Sequence, residues 1–376
     1  VDGQYKPGSI GTPLQDVNYL VLHGANDGDV QSFAGLRQYE RLTFTDSSDH
    51  FKAAIYIHGA NHGQFNTSWG NRDSPNPWGS LLNVKALMPM EDQLTVGKVL
   101  INSFLKATLQ DEKGFQAVFK DLRQAKSWLP ETIYLNQFET NDWQVITDFD
   151  EDLDLTTAGD MASISSENLT VWKEQLVQMK WGNKDTRAVY IGWDSTAHPQ
   201  DTARYVIEFK KPRQLEEQPW FSFEMAHSKE KSYPDKDRDE RKKEEEDDNE
   251  EVDIAENEND VEVTNEEEEE DVEKDKDKAS EPINISIAIY DQHGEHVQFD
   301  LHEYALLQPQ ITVDIYKNKS LQTNKTSEAV YQTFFFDLNS IAKRNPSFDH
   351  TALQGIAFIF DQKKNGVVIL DKLAFH

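Results

Sequence analysis

Cysteine is absent from the 376 residues. That excludes a disulfide framework and a thiolate metal site, although it does not by itself choose a compartment. No apolar run approaches the ~20 residues of a membrane-spanning helix. No charged-then-apolar leader opens the text. Residue 1 is Val, which leads us to expect a sequence beginning inside a longer product or after a cleavage. Clustered Lys and Arg are also missing, with 38 basic residues against 68 acidic ones. A nucleic-acid partner is thereby excluded, because phosphate binding needs basic clusters that release counterions. Finally, no G-x-S-x-G occurs anywhere in the chain.

Acid is what the sequence has in excess, with a formal net charge of -30 and a hydrophobic fraction of only 37%. Most of that charge is local. The tract from Lys229 to Glu281 carries 27 acidic and 10 basic residues, more than half of the total imbalance. Such a composition cannot bury enough apolar surface to offset the entropy of ordering, and it predicts a disordered acidic insertion over 228–282. The rest of the chain is moderately acidic and long enough for two domains, each with its own core.

In chain order, Asn18 to Leu22 and Phe51 to Ile57 are short apolar runs without alternation, the pattern of parallel strands covered on both faces. Helical spacing from Val30 through Phe44 lies between them, so the stretch predicts a βαβ unit. A long helical region follows from Glu91 to Lys126, with Gly114 as the expected break. Residues 129–147 are read as a linker. From Leu129 onward β-like runs separated by turn signals, among them Trp143 to Ile146 and Ile311 to Tyr316, predict an antiparallel sandwich, placed over 148–376, which the acidic tract interrupts.

Two loops carry the candidate chemistry. His23-Gly24-Ala25-Asn26-Asp27-Gly28-Asp29 leaves the first run, and His58-Gly59-Ala60-Asn61-His62-Gly63 leaves the second. Both would emerge at the carboxyl edge of a parallel sheet, where α/β proteins place their sites. Asp27 at such a position can accept a hydrogen bond from a histidine Nδ1 and leave Nε2 as the base. Asp29 could substitute, and either residue could simply cap the following helix. His62 would lie beside Asp27 if the strands are adjacent, whereas His23 and His58 sit closer to their strands and should point into the packing.

Tyr19 to Val30, Lys52 to Asn66 and the helix around Asn102-Ser103-Phe104-Leu105 together resemble the C-terminal part of an α/β-hydrolase of the secreted esterase, lipase and polyester-hydrolase type. The resemblance covers residues 1–128 as a domain and implies a triad order of nucleophile, acid and histidine. It therefore implies Asp27 as acid and His62 as general base, an ester substrate, and a secreted or periplasmic location. It also implies a nucleophilic Ser and an oxyanion hole upstream of this sequence, since the chain offers no nucleophile elbow of its own. The expected fold class is an incomplete α/β-hydrolase sheet followed by an all-β jelly roll. Neither a cofactor nor a metal is called for.

The second half has its own resemblance. Trp220 to Met225, Ile285 to Asp291, Phe334 to Leu338, Ala357 to Phe360 and Val368 to Phe375 are similar to a galactose-binding-like jelly roll. This implies a possible carbohydrate ligand, with Trp172, Trp181 and Trp193 as candidate stacking platforms or as core residues. Glu224 and Asp371 are candidate calcium ligands or solvated strand-end carboxylates. The alternative function is accordingly a non-catalytic carbohydrate- or protein-binding module on a relic hydrolase scaffold.

Overall fold

The computed structural model describes residues 13–197, 201–216, 218–232, 281–322 and 325–376. Apart from its ends, the acidic tract expected as an insertion over 228–282 lies outside the described residues.

The first sheet has three strands in the order β1 (Tyr19–Gly24), β2 (Phe51–Ile57) and β3 (Tyr134–Thr140). β1 and β2 run parallel, with Tyr19 opposite Lys52 and Gly24 opposite Ile57. β3 is antiparallel to β2, which makes this a small mixed sheet. Every residue of β2 is buried, and period-two alternation shows why. Phe51, Ala53, Ile55 and Ile57 face one apolar cluster, while Ala54 and Tyr56 face another. The first cluster is closed by Val96 and Leu100 of the helix Met90–Leu109 and by Val118 and Phe119 of the helix Gln116–Lys120. The second is closed by Phe33, Leu36 and Tyr39 together with Ile311, Val313 and Ile315 from the second half of the chain.

The helices differ from their sequence expectation. α1 is only Leu36–Arg41, because residues 27–34 are held as a loop by side-chain hydrogen bonds described below. α2 spans Met90–Leu109 and α3 spans Gln116–Lys120. The break thus falls before Gly114, at Asp111, whose φ of 56° is left-handed and ends helical geometry. The expected linker over 129–147 is also corrected, since it contains β3 and β4 (Gln144–Thr147). Asn, Gln and Glu in β3 disguised it as a loop.

Among the described residues, twelve further strands form two facing sheets. In chain order they are β4, β5 (Thr157–Ala158), β6 (Ala162–Glu167), β7 (Val171–Gln178), β8 (Asn183–Asp194), β9 (Ala203–Gln214), β10 (Trp220–His227), β11 (Ser286–Asp291), β12 (His296–Asp300), β13 (Gln332–Asp337), β14 (Ala352–Phe360) and β15 (Asn365–Phe375). A short helix α4, Leu338–Ala342, follows β13. One sheet has the order β13-β10-β15-β8-β7, with β4 also paired to β15, and the other has the order β12-β11-β14-β9-β6-β5. Phe221, Phe223, Val368, Leu370 and Leu373 of the first sheet meet Ile207, Ile287, Ile289, Ile356 and Phe358 of the second in one core. The stretch Ile311 to Tyr316, expected as a strand, is not one. Its alternating apolar side chains pack on the βαβ unit, and its backbone bonds go to loop partners such as Asn83.

A bulge sets up the contact between the two halves. β10 and β15 lose register between Phe223 and Glu224, and Lys372 takes a φ of 29°. Alternation along β15 changes phase there, from Val368 and Leu370 in the sandwich core to Leu373 and Phe375. Asp371 and Lys372 can therefore both join the polar group at the junction with the βαβ unit. Lys372 Nζ lies 2.7 Å from Glu139 Oε2 and 3.9 Å from Glu40 Oε2, and Lys52 Nζ lies 3.2 Å from Glu139 Oε2. Lys184 Nζ forms an ion pair with Glu40 Oε1 at 2.8 Å and stands 3.8 Å from Asp371 Oδ2. Glu224 accepts from Gln137 Nε2 at 2.7 Å and from Tyr39 Oη at 3.4 Å.

Burial alone would raise the carboxyls of Glu139 and Glu40, but the lysines facing them overcome it and both end below their ordinary values. For Glu224 and Asp371 burial wins, and both are pushed up. These two residues are buried and not the solvated strand-end carboxylates of the sequence reading. Among the described residues no cluster of three or more His, Asp or Glu side chains suits a metal ion.

Candidate functional site

The loops leaving β1 and β2 are locked together by backbone and side-chain bonds. Asn26 N donates to the Ala60 carbonyl at 2.9 Å, and Asn26 Oδ1 accepts from Gly59 N at 2.9 Å. Gly24 is needed for this approach, because a Cβ there would overlap the Ala60 carbonyl oxygen.

Within that frame His62 Nδ1 lies 3.0 Å from Asp27 Oδ2. The other oxygen, Oδ1, accepts from Asp29 N at 2.9 Å and Val30 N at 2.7 Å. Asp27 thus ties its own turn and meets the histidine; it does not cap the following helix α1, whose N-cap is Gly35. Asp29 contributes its backbone N–H, and its carboxylate acts on His62 through charge without a hydrogen bond to it. His23 is buried, stacked against Phe33 at 4.9 Å and against Tyr56 at 5.5 Å, and burial drives its imidazole down to about 3. His58 is partly buried and its backbone bonds to the loop before β3; it has no contact with Asp27.

The electrostatics of the pair follow from burial and from the bond. The hydrogen bond to Asp27 raises the His62 imidazole from 6.5 to about 9, against the opposing effect of its partial burial. Burial raises the Asp27 carboxyl, and His62 and the two backbone N–H groups only partly offset it. An ion pair would ordinarily lower the acid, so here desolvation outweighs attraction. His62 Nε2 makes no hydrogen bond to any described residue. The imidazole stacks on Trp69 at 5.6 Å, and Trp69 itself is 60% exposed. The arrangement is that of a buried acid, an oriented imidazole and an accessible second nitrogen.

Sequence reasoning missed the residues that hold this geometry. Asp73 Oδ2 accepts from Gly28 N at 2.7 Å on the acid loop. Its Oδ1 accepts from Gly63 N at 2.8 Å and Asn61 Nδ2 at 2.7 Å on the histidine loop. Gln93, buried on α2, donates to the Asn61 carbonyl at 2.7 Å and accepts from Asn61 N at 3.1 Å. From the sandwich, Glu328 accepts from Phe33 N at 2.9 Å and Ser32 Oγ at 2.8 Å. Asp73 lies in a Gly, Asn and Pro-rich loop with no periodicity to mark it. Gln93 could have been flagged as a polar residue on the buried face of an amphipathic helix.

Of the aromatic candidates, Trp193 is 1% exposed, stacks on Phe360 and donates from Nε1 to the Lys363 carbonyl, so it is a core residue. Trp172 packs edge-on against Tyr205 at the margin of the same core. Trp181 is 48% exposed in the turn between β7 and β8.

No protein-family model matches the chain, and no curated protein matches it. Solved structures do. The neighbours are chiefly carbohydrate-binding modules. One is the family 11 module of a cellulosomal cellulase of Clostridium thermocellum, with a TM-score of 0.29 and 10% identity, over 62% of this chain and 93% of that one. A family 30 module from another cellulosomal cellulase of that organism gives 0.28 and 11%, over 58% and 84%. An exo-beta-agarase gives 0.31 and 8%, over 62% of this chain and 25% of its own. None of them shows the α/β-hydrolase part that the resemblance implied. A functional reading has to come from this chain's own side chains.

Proposed function

We propose that Asp27 and His62 are the orienting acid and general base of a serine hydrolase of carboxylic esters, with the serine and oxyanion hole supplied by a segment outside residues 1–376. The observation that carries this reading is the 3.0 Å bond from His62 Nδ1 to Asp27 Oδ2, made between loops at the carboxyl ends of adjacent parallel strands. Two features support it. Nε2 is left accessible, where it can take a proton from a hydroxyl and return it to a leaving alcohol. In addition, β1 is an edge strand among the described residues, so a further strand can add there and bring a nucleophile to the same sheet edge. In the longer protein a fluorophosphonate probe is expected to label one serine, and His62→Ala is expected to abolish labelling while Trp181→Ala leaves it intact. Labelling that survives His62→Ala would count against the reading.

A second reading is favoured by the exposed Trp181 ring. On it, the sandwich is a carbohydrate-binding module and the ring stacks on a sugar face. Titration of the chain with β-1,3-1,4-linked glucan oligosaccharides is then expected to quench Trp fluorescence saturably, and Trp181→Ala is expected to weaken binding at least about tenfold. Equal affinity in wild type and variant would remove Trp181 from the site and leave this reading without its residue.

A further inference from the structure

A groove of about 870 Å³ opens between the segment from α3 to β3 and the sandwich edge formed by β10, β13 and the loop after β12. Asp27, His62 and Trp69 do not line it. Its volume falls in the ordinary range of small-molecule sites, and its walls include Leu129, Pro130, Ile133 and Leu306.

Three cations line it: Arg123 is held by Asp121 and the Tyr304 carbonyl, Lys126 is exposed to solvent, and Lys120 stands over the aromatic wall. Lys120 Nζ sits 3.5 Å above the Trp220 ring centroid and 4.8 Å from that of Phe335. It has no hydrogen bond or ion pair to any described residue, so its N–H donors are available to a ligand. The ring face of Trp220 is occupied by this cation, with His376 stacked at 6.3 Å, which argues against Trp220 as a sugar platform. Of the two lining carboxylates, Asp121 is committed to Arg123 at 2.8 Å and Glu131 is exposed on the rim. An unpaired ammonium above apolar walls selects an anion with an apolar body.

We propose that this groove binds a small amphipathic carboxylate, its carboxylate on Lys120 Nζ and its hydrocarbon body along Leu129, Pro130, Ile133 and Leu306. Binding should depend on pH. Burial lowers the Lys120 ammonium to about 8, with Asp142 and Asp337 pulling the other way. His376, which also faces Lys120, is driven down to about 4 by burial and by Lys120, so it stays neutral above pH 6; Tyr134, His302 and Tyr304 line the groove as well.

Calorimetric titration of the intact chain at pH 7 with octanoate, 1-octanol and acetate tests the site. Octanoate is expected to bind saturably, and 1-octanol and acetate each at least about tenfold more weakly. Lys120→Gln, checked for an unchanged melting temperature, is expected to lose about tenfold for octanoate and nothing for octanol. Raising the pH from 7 to 9.5 should weaken octanoate alone, because the ammonium is lost while the ligand keeps its charge. Absence of saturable octanoate binding, equal affinity for octanol, or a Lys120→Gln variant that binds octanoate as tightly as wild type would each overturn the proposal.

Discussion

Lys372→Ala is expected to destabilise the protein by about 3–5 kcal/mol, the usual cost of removing one partner from a buried ion group. Glu139 would keep only Lys52 at 3.2 Å, and Glu40 would keep Lys184 at 2.8 Å. Burial would lower the Lys372 ammonium, but Glu139, Glu40 and Glu224 overcome this and hold it well above its ordinary value. A cation whose folded-state value is raised stabilises the fold fully below 10.5 and loses that contribution as the pH rises through the raised value. Urea unfolding at pH 7 measures the difference directly, and a loss below about 1 kcal/mol would show the group to be hydrated. Lys372→Met together with Glu139→Gln should recover part of the stability, since removing both charges leaves less uncompensated than removing one.

Asp27→Asn is expected to bring the His62 imidazole from about 9 back to 6.5 or below. The amide keeps the shape but removes the charge and the anionic acceptor, and the partial burial of the ring then lowers the imidazole. Histidine side-chain NMR titration reads this shift, and a value that stays near 9 would mean that Asp27 does not control His62. The sign for stability follows. A folded value near 9 against an unfolded value of 6.5 means that the pair favours folding fully below pH 6.5, and that this contribution fades as the pH rises through about 9. A base must be neutral to accept a proton, so any reaction served by His62 should speed up through the same range. Asp27→Asn should move that profile to lower pH.

The strands and loops that present the pair were legible because they depend on local pattern. Two uniformly apolar runs can be little else than strands covered on both faces, and the spacing of Asp27 and His62 follows from one crossover. What holds the pair in place was not legible. Asp73 acts through backbone N–H groups of two loops, a relation of shape with no sequence period. Glu328 reaches the acid loop across 295 positions of sequence to Phe33. The junction was misread for a related reason. Gln137 and Glu139 on β3, with Glu224 and Asp371 on the sandwich, look like solvated residues in a one-dimensional text. Only the pairing of β3 with β2 and the bulge at Lys372 turn them towards one another.

That junction also bears on how the molecule can be divided. Glu40 and Glu139 belong to the first sheet and its helix, and their counter-charges Lys184 and Lys372 to the sandwich. Cutting the chain after β3 would leave Glu40 without an ion-paired lysine and Glu139 with Lys52 alone, and would strip Lys184 and Lys372 of these partners, each on a newly wetted face. The two halves should therefore melt in a single transition. Any attempt to transplant the histidine loop onto another scaffold would have to carry the sandwich along.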